Sequence, residues 1–135
     1  DLFISYKPLG NLNLYFTNYV YAVIDDTNAG INKRFSFSHK AGVKIFSQLW
    51  TEITAFYGDI RTLTTNNGFV IYNGEETINK RFDLNIIFPF RQINLYLNGS
   101  FLNYSSRFVE DQSLDTYNNL NFNGITIIGG IIWHI

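Results

Sequence analysis

The chain contains no cysteine and no methionine. Without thiols it has no disulfide framework, no thiolate metal site and no cysteine nucleophile, a composition compatible with the cell envelope without establishing it. Histidine is almost missing too: His39 and His134 are the only two, and their spacing matches no metal-ligand pattern. There is no glycine motif of the kind that cradles phosphate. A net charge of -1 supplies no general attraction to nucleic acid or acidic lipid. Sparse alanine and absent methionine leave few strong helix formers. The longest strongly apolar run, Ile125 to Trp133, is broken by Thr126 and two glycines, far short of the ~20 residues a membrane helix needs. If this chain crosses a membrane, it must do so with strands. No secretion signal is visible, since Asp1 leads straight into Leu2-Phe3-Ile4, so the expectation is a mature chain or a fragment.

What is present favours strands. The 135 residues suit one domain, 1–135, and 18% are aromatic, with 13 Phe and 9 Tyr. Asparagine is abundant at 17 residues, many inside apparent strands where it is normally depleted. A strand tolerates such residues when one of its faces meets water.

The governing pattern has period two. From Gly10 to Ile24 the even positions read Leu12, Leu14, Phe16, Asn18, Val20, Ala22 and Ile24, against amides, hydroxyls and Tyr on the odd positions. From Ile31 to Phe46 the apolar face is Phe35, Phe37, Ala41, Val43 and Ile45, opposite Arg34, Ser36, Ser38, Lys40 and Lys44. From Leu49 to Ile60 the odd face is the apolar one, with Trp50 and Phe56 as exceptions opposite. Phe82, Leu84, Ile86, Phe88 and Phe90 oppose Arg81, Asp83 and Asn85 between Ile78 and Phe90. Ile93, Leu95, Leu97 and Phe101 oppose Asn94, Tyr96, Asn98 and Ser100, with Leu102 a misfit. The last segment, Asn121 to Ile135, is apolar on both faces.

These segments run to roughly 11–16 residues, against a usual strand of ~5–6. Their connections alternate in length. Short ones fall at Lys7–Gly10, Phe46–Gln48 and Phe90–Gln92, and long polar ones at Asp25–Gly30, Thr62–Thr77 and Arg107–Asn119. Short turns on one rim and long loops on the other suit an outer-membrane barrel. Within the longest loop, Asn66-Asn67-Gly68 and Asn73-Gly74 read as turns around a strand-like Gly68–Tyr72, which predicts a small hairpin. A weak repeat, Ile31-Asn32-Lys33-Arg34-Phe35 and Ile78-Asn79-Lys80-Arg81-Phe82, reads chiefly as two hairpins solving one problem. The functional alternative is a Lys-Arg mark at the outer rim.

The final eight residues, Ile128-Gly129-Gly130-Ile131-Ile132-Trp133-His134-Ile135, resemble the C-terminal assembly signal of bacterial outer-membrane barrels. Gly130, Trp133 and Ile135 fall on its third, sixth and eighth places; Ile128 stands where a polar residue is usual, and Ile135 where Phe or Trp is. The resemblance implies recognition by the barrel-assembly machinery, location in the bacterial outer membrane, and a terminal strand that closes a barrel. The fold expected is all-β, an antiparallel up-and-down transmembrane β-barrel with about seven or eight strands in this chain. Counting back from a downward last strand gives an odd number of segments, so upstream strands are expected, from a longer precursor or another chain.

In hydrocarbon every backbone amide must be paired within the protein, which forces strands into a closed sheet. The expected lumen lining is Arg34, Lys40, Lys44, Glu52, Arg81, Asp83, Asn94, Tyr96 and Asn98. These charges are expected mainly to pair with one another; as a channel lining, four cations to two acids would favour anions mildly. Tyr15, Tyr19, Tyr57, Tyr96, Tyr104 and Trp133 are candidates for interface girdles or lumen contacts. His39 is anomalous, since its parity puts it on the lipid face between Phe37 and Ala41; it is expected to sit near the interface and snorkel, or else to face a protein.

No catalytic residue, metal or cofactor is expected. Ser38 and His39 are adjacent in a strand and point to opposite faces. Asp25-Asp26 and Glu75-Glu76 read as solvated loop charge. The functional expectation is a pore, scaffold or anchor whose partners are outer-membrane lipid, the assembly machinery and other envelope proteins or strands. A soluble lipocalin-like ligand-binding barrel and an outer-membrane barrel enzyme are the alternatives. A lipocalin-type barrel needs an apolar inside and a wet outside, so the direction in which the two faces point separates the first reading from the second.

Overall fold

A computed structural model describes residues 2–27, 30–46, 48–59, 64–65, 70–71, 77–111 and 116–133. The strands are β1 (Leu2–Tyr6), β2 (Leu14–Thr27), β3 (Gly30–Ile45), β4 (Leu49–Gly58), β5 (Thr64–Thr65), β6 (Val70–Ile71), β7 (Thr77–Phe90), β8 (Ile93–Asp111) and β9 (Thr116–Trp133). Seven of them form one sheet in the order β1-β2-β3-β4-β7-β8-β9, every neighbouring pair antiparallel. This is the up-and-down all-β arrangement expected from the alternation. The sheet is not closed: β1 and β9 are its two edges. Because strand direction alternates, β1 and β9 run the same way and could not close on each other antiparallel.

Two of the three short connections, after β3 and after β7, lie where the sequence put them; the first is longer than expected, since residues 7–13 and not Lys7–Gly10 separate β1 from β2. Residues 91–92 join β7 to β8, and Phe46 and Arg91 take positive φ values of 57° and 55° at their turns. The long ones are corrected. β2 and β3 stay paired up to Thr27↔Gly30, and β8 and β9 up to Asp111↔Thr116, so only 28–29 and 112–115 connect them. Polar sequence there reads as loop, but the ladder satisfies its backbone beyond the apolar part of the strands. Of the three, only the β4–β7 connection is long, and it holds the expected small hairpin, with Thr64↔Ile71 and Thr65↔Val70 paired. Its predicted turns at 66–68 and 73–74 lie outside the described residues. Leu12 precedes β2 and is exposed.

Pro89 sits in β7 opposite Asn94, beyond Ile87, the last β7 residue paired with β4. Having a neighbour on one side only, β7 tolerates a residue without an N–H there. A bulge between Ile78 and Lys80 shifts the register with β8. It turns Ile78 to the opposite face from Phe82, against the buried pair Tyr21 and Phe56.

The two faces of the sheet differ in polarity and in shelter. Among the described residues, every buried one lies on one face: Thr17, Tyr21, Ser36, Ser38, Gly42, Thr54, Phe56, Asp83 and Ser100 are linked by register across β2 to β8. Ser36 and Ser38 are 1% exposed and Asp83 is 7% exposed. The other face carries Phe16, Val20, Phe35, Phe37, Ile53, Phe82, Leu84, Leu95, Leu97, Phe101, Ile125 and Ile131, all exposed. A single-layer sheet can shelter one face only by curving towards it, so the polar face is the concave one.

Candidate functional site

The sheltered face is built around short polar side chains on five strands, Thr17, Ser36, Ser38, Thr54, Asp83 and Ser100, flanked by ion pairs. Asp83 on β7 accepts a hydrogen bond from Ser100 Oγ on β8 (2.5 Å) and one from Arg81 Nε (2.8 Å). Arg81 and Asp83 share a face because they are two apart in a strand. Glu52 on β4 accepts from the Tyr15 hydroxyl of β2 and lies 3.3 Å from Lys40 Nζ on β3. Arg34 lies 3.9 Å from Asp59, whose backbone carbonyl accepts from Ser36 Oγ (3.2 Å). Asp59 reaches them because Gly58, opposite Ser36, takes φ 102°, a conformation open to glycine. Asn98 Nδ2 donates to Asn85 Oδ1 across β8 and β7 (2.6 Å).

Large rings on this face are accommodated by missing side chains opposite. Tyr15 pairs in register with Gly42, and Tyr96 with Gly130; a Cβ at either glycine would overlap the tyrosine ring. Tyr15 also stacks on Trp50, with centroids 5.9 Å apart. A recess of about 340 Å³, lined by Trp50, Glu52, Asn85, Tyr96, Asn98 and Ile132, opens between these pairs.

Of the residues expected to line a lumen, Arg34, Lys40, Glu52, Arg81, Asp83, Asn94, Tyr96 and Asn98 share this face by register. Lys44 has the same parity but is exposed near the short-turn rim. The four-to-two charge count omitted Asp59; with it, three cations and three acids are paired here. The repeated Lys-Arg pairs are split by the pleat. Arg34 and Arg81 are on the sheltered face, while Lys33 and Lys80 are exposed on the other, next to Phe35 and Phe82. Of the candidate girdle residues, Tyr15, Tyr19, Tyr96 and Tyr104 lie on the sheltered face, and Tyr57 and Trp133 on the apolar one. Gly130 and Trp133 therefore occupy opposite faces of β9, and Ile135 lies outside the described residues.

On the apolar face each long strand presents a band of nine to eleven residues: Leu14–Ile24, Phe35–Ile45, Leu49–Tyr57, Phe82–Phe90, Ile93–Phe101 and Ile125–Trp133. Register lines these bands up: Phe16, Ala41, Ile53, Leu84, Gly99 and Ile127 form one row across six strands. His39 is in the middle of its band and has a partner: its Nδ1 lies 2.5 Å from Oδ1 of Asn18, directly opposite on β2. Two apolar positions, Phe35 and Phe37, separate it from one end of the band, and Ala41, Val43 and Ile45 from the other.

No protein-family model matches this chain, and no curated protein or solved structure does either.

Proposed function

We propose that this chain forms part of the wall of an up-and-down transmembrane β-barrel in the bacterial outer membrane, acting as a pore, scaffold or anchor. The carrying observation is the polarity of the sheet, with Leu84 and Leu97 exposed while Asp83 and Ser100 are buried. A water-soluble sheet is selected for the opposite, because exposed apolar area costs about 25 cal/mol per Å². A lipocalin-type barrel would put the Phe and Leu positions inside and the charges outside. The band height fits lipid. Nine residues at about 3.3 Å each, tilted about 40°, span roughly 23 Å, close to the ~25 Å apolar band of outer-membrane barrels.

The concave face becomes the lumen wall on this reading, and the edges β1 and β9 pair with further strands. An antiparallel closure requires an odd number of them, because β1 and β9 run the same way. The partners are outer-membrane lipid, the barrel-assembly machinery acting on the Gly130–Trp133 strand, and those further strands. An enzyme is disfavoured by the separation of His39 from Ser36 and Ser38, which lie on the other face.

The test is fractionation of the full-length protein. Retention in outer membranes after a urea wash is expected, and recovery in the aqueous fraction without detergent would overturn the reading. Planar-bilayer recordings then separate pore from anchor. A pore is expected to show little ion preference, since Arg34, Lys40 and Arg81 are each neutralised by an acid.

A further inference from the structure

The pair His39–Asn18 is polar, exposed and central in two adjoining apolar bands. Its own hydrogen bond joins His39 Nδ1 to Asn18 Oδ1; an amide oxygen only accepts, so Nδ1 donates, and in the tautomer with its one proton there Nε2 is an acceptor. Asn18 keeps both Nδ2 hydrogens as donors. The patch therefore offers one acceptor and one donor side by side, in an environment where an unmatched polar group is costly.

Two of the neighbours are small. The chain has four alanines, and Ala41 and Ala55 flank His39, along the strand and opposite it on β4. Tyr57, ring centroid 6.5 Å from the imidazole, and Phe37, two residues along β3, border them. Small residues let another backbone approach closely, and polar side chains among them join membrane segments.

We propose that the β2–β4 face is a lateral interface with a second copy of this chain, joined by reciprocal Asn18 Nδ2 to His39 Nε2 hydrogen bonds. This inference rests on the membrane reading above. The argument for a second copy is self-complementarity. A two-fold axis along the membrane normal, passing between β2 and β3, sets Asn18 of each copy against His39 of the other, donor to acceptor twice over. Lipid tails offer neither group.

The absence of cysteine gives a clean test. Full-length Asn18→Cys and His39→Cys proteins, co-reconstituted in lipid vesicles and oxidised, are expected to form a disulfide-linked heterodimer. A Leu97→Cys protein, whose position is on β8, is expected not to cross-link with either. The Asn18→Leu/His39→Leu protein is expected to stay membrane-inserted with unchanged strand content, while dimerisation in bilayers weakens about tenfold. A wild-type protein that inserts but is monomeric by single-molecule photobleaching overturns the interface and leaves the membrane reading intact. Cross-linking through Leu97→Cys as strong as through the patch also overturns it. Failure of the wild-type protein to enter lipid overturns the membrane reading itself.

Discussion

Replacing Asp83 with Ala removes the acceptor for both Ser100 and Arg81. The cost expected is about 1–3 kcal/mol, towards the lower end because Arg81 is partly solvated, read as a lower denaturation midpoint in detergent. Ser100→Ala should cost less, about 1 kcal/mol, because Asp83 keeps Arg81. The glycine sites make a sharper prediction. Gly130→Val should destabilise by about 1–3 kcal/mol by driving into Tyr96, and most of that should vanish in a Tyr96→Ala background. Equal costs in both backgrounds would mean the ring is not what the glycine makes room for. At this scale the sequence was partly legible. Parity alone assigned Arg34, Lys40, Glu52, Arg81 and Asp83 to one face. Their partners were not readable, because Asp59 reaches Arg34 only through the turn at Gly58. Nor was the Asn18–His39 contact, which needs the register of a hairpin whose ends looked like loop.

The strands themselves were the most legible feature, since a period-two pattern survives any error in where a strand starts. Leu84 and Asn85 are adjacent on β7 and face opposite ways. Leu84→Arg should therefore reduce the membrane-assembled fraction sharply, by a cost of about 2–4 kcal/mol at mid-depth. Asn85→Arg forfeits one hydrogen bond to Asn98, worth about 1 kcal/mol, and should assemble nearly normally. Equal tolerance of the two would count heavily against a lipid-facing Leu84. Strand ends were less legible. β8 reaches Asp111 and β9 starts at Thr116 because a hairpin end needs ladder hydrogen bonds but no apolar face. The bulge at Asn79 left no mark in composition. Deleting Asn79 should turn Ile78 away from Tyr21 and Phe56 and lower stability, measurable by the same unfolding assay.

For the molecule as a whole, the two edges are unequal: β1 pairs over five residues and β9 spans 18. Every second amide of β9 points away from β8. In the isolated chain these amides should exchange with deuterium fast, and in the membrane-assembled protein slowly; uniform protection in the isolated chain would mean that β9 already has a second neighbour. Closure was the one fold-level expectation that alternation could not supply, because parity sorts faces and says nothing of how many strands complete the circle.

The inverted sheet also dictates an order of events. In water, a wall with Phe35, Phe82, Leu97 and Ile125 outermost would adhere to any similar wall it met. If the apolar face meets lipid, as proposed, such a chain has to stay unpaired, or be held by a carrier, until lipid is at hand. Refolding by dilution should accordingly yield aggregate in buffer and native strand pairing only when micelles or vesicles are already in the receiving solution.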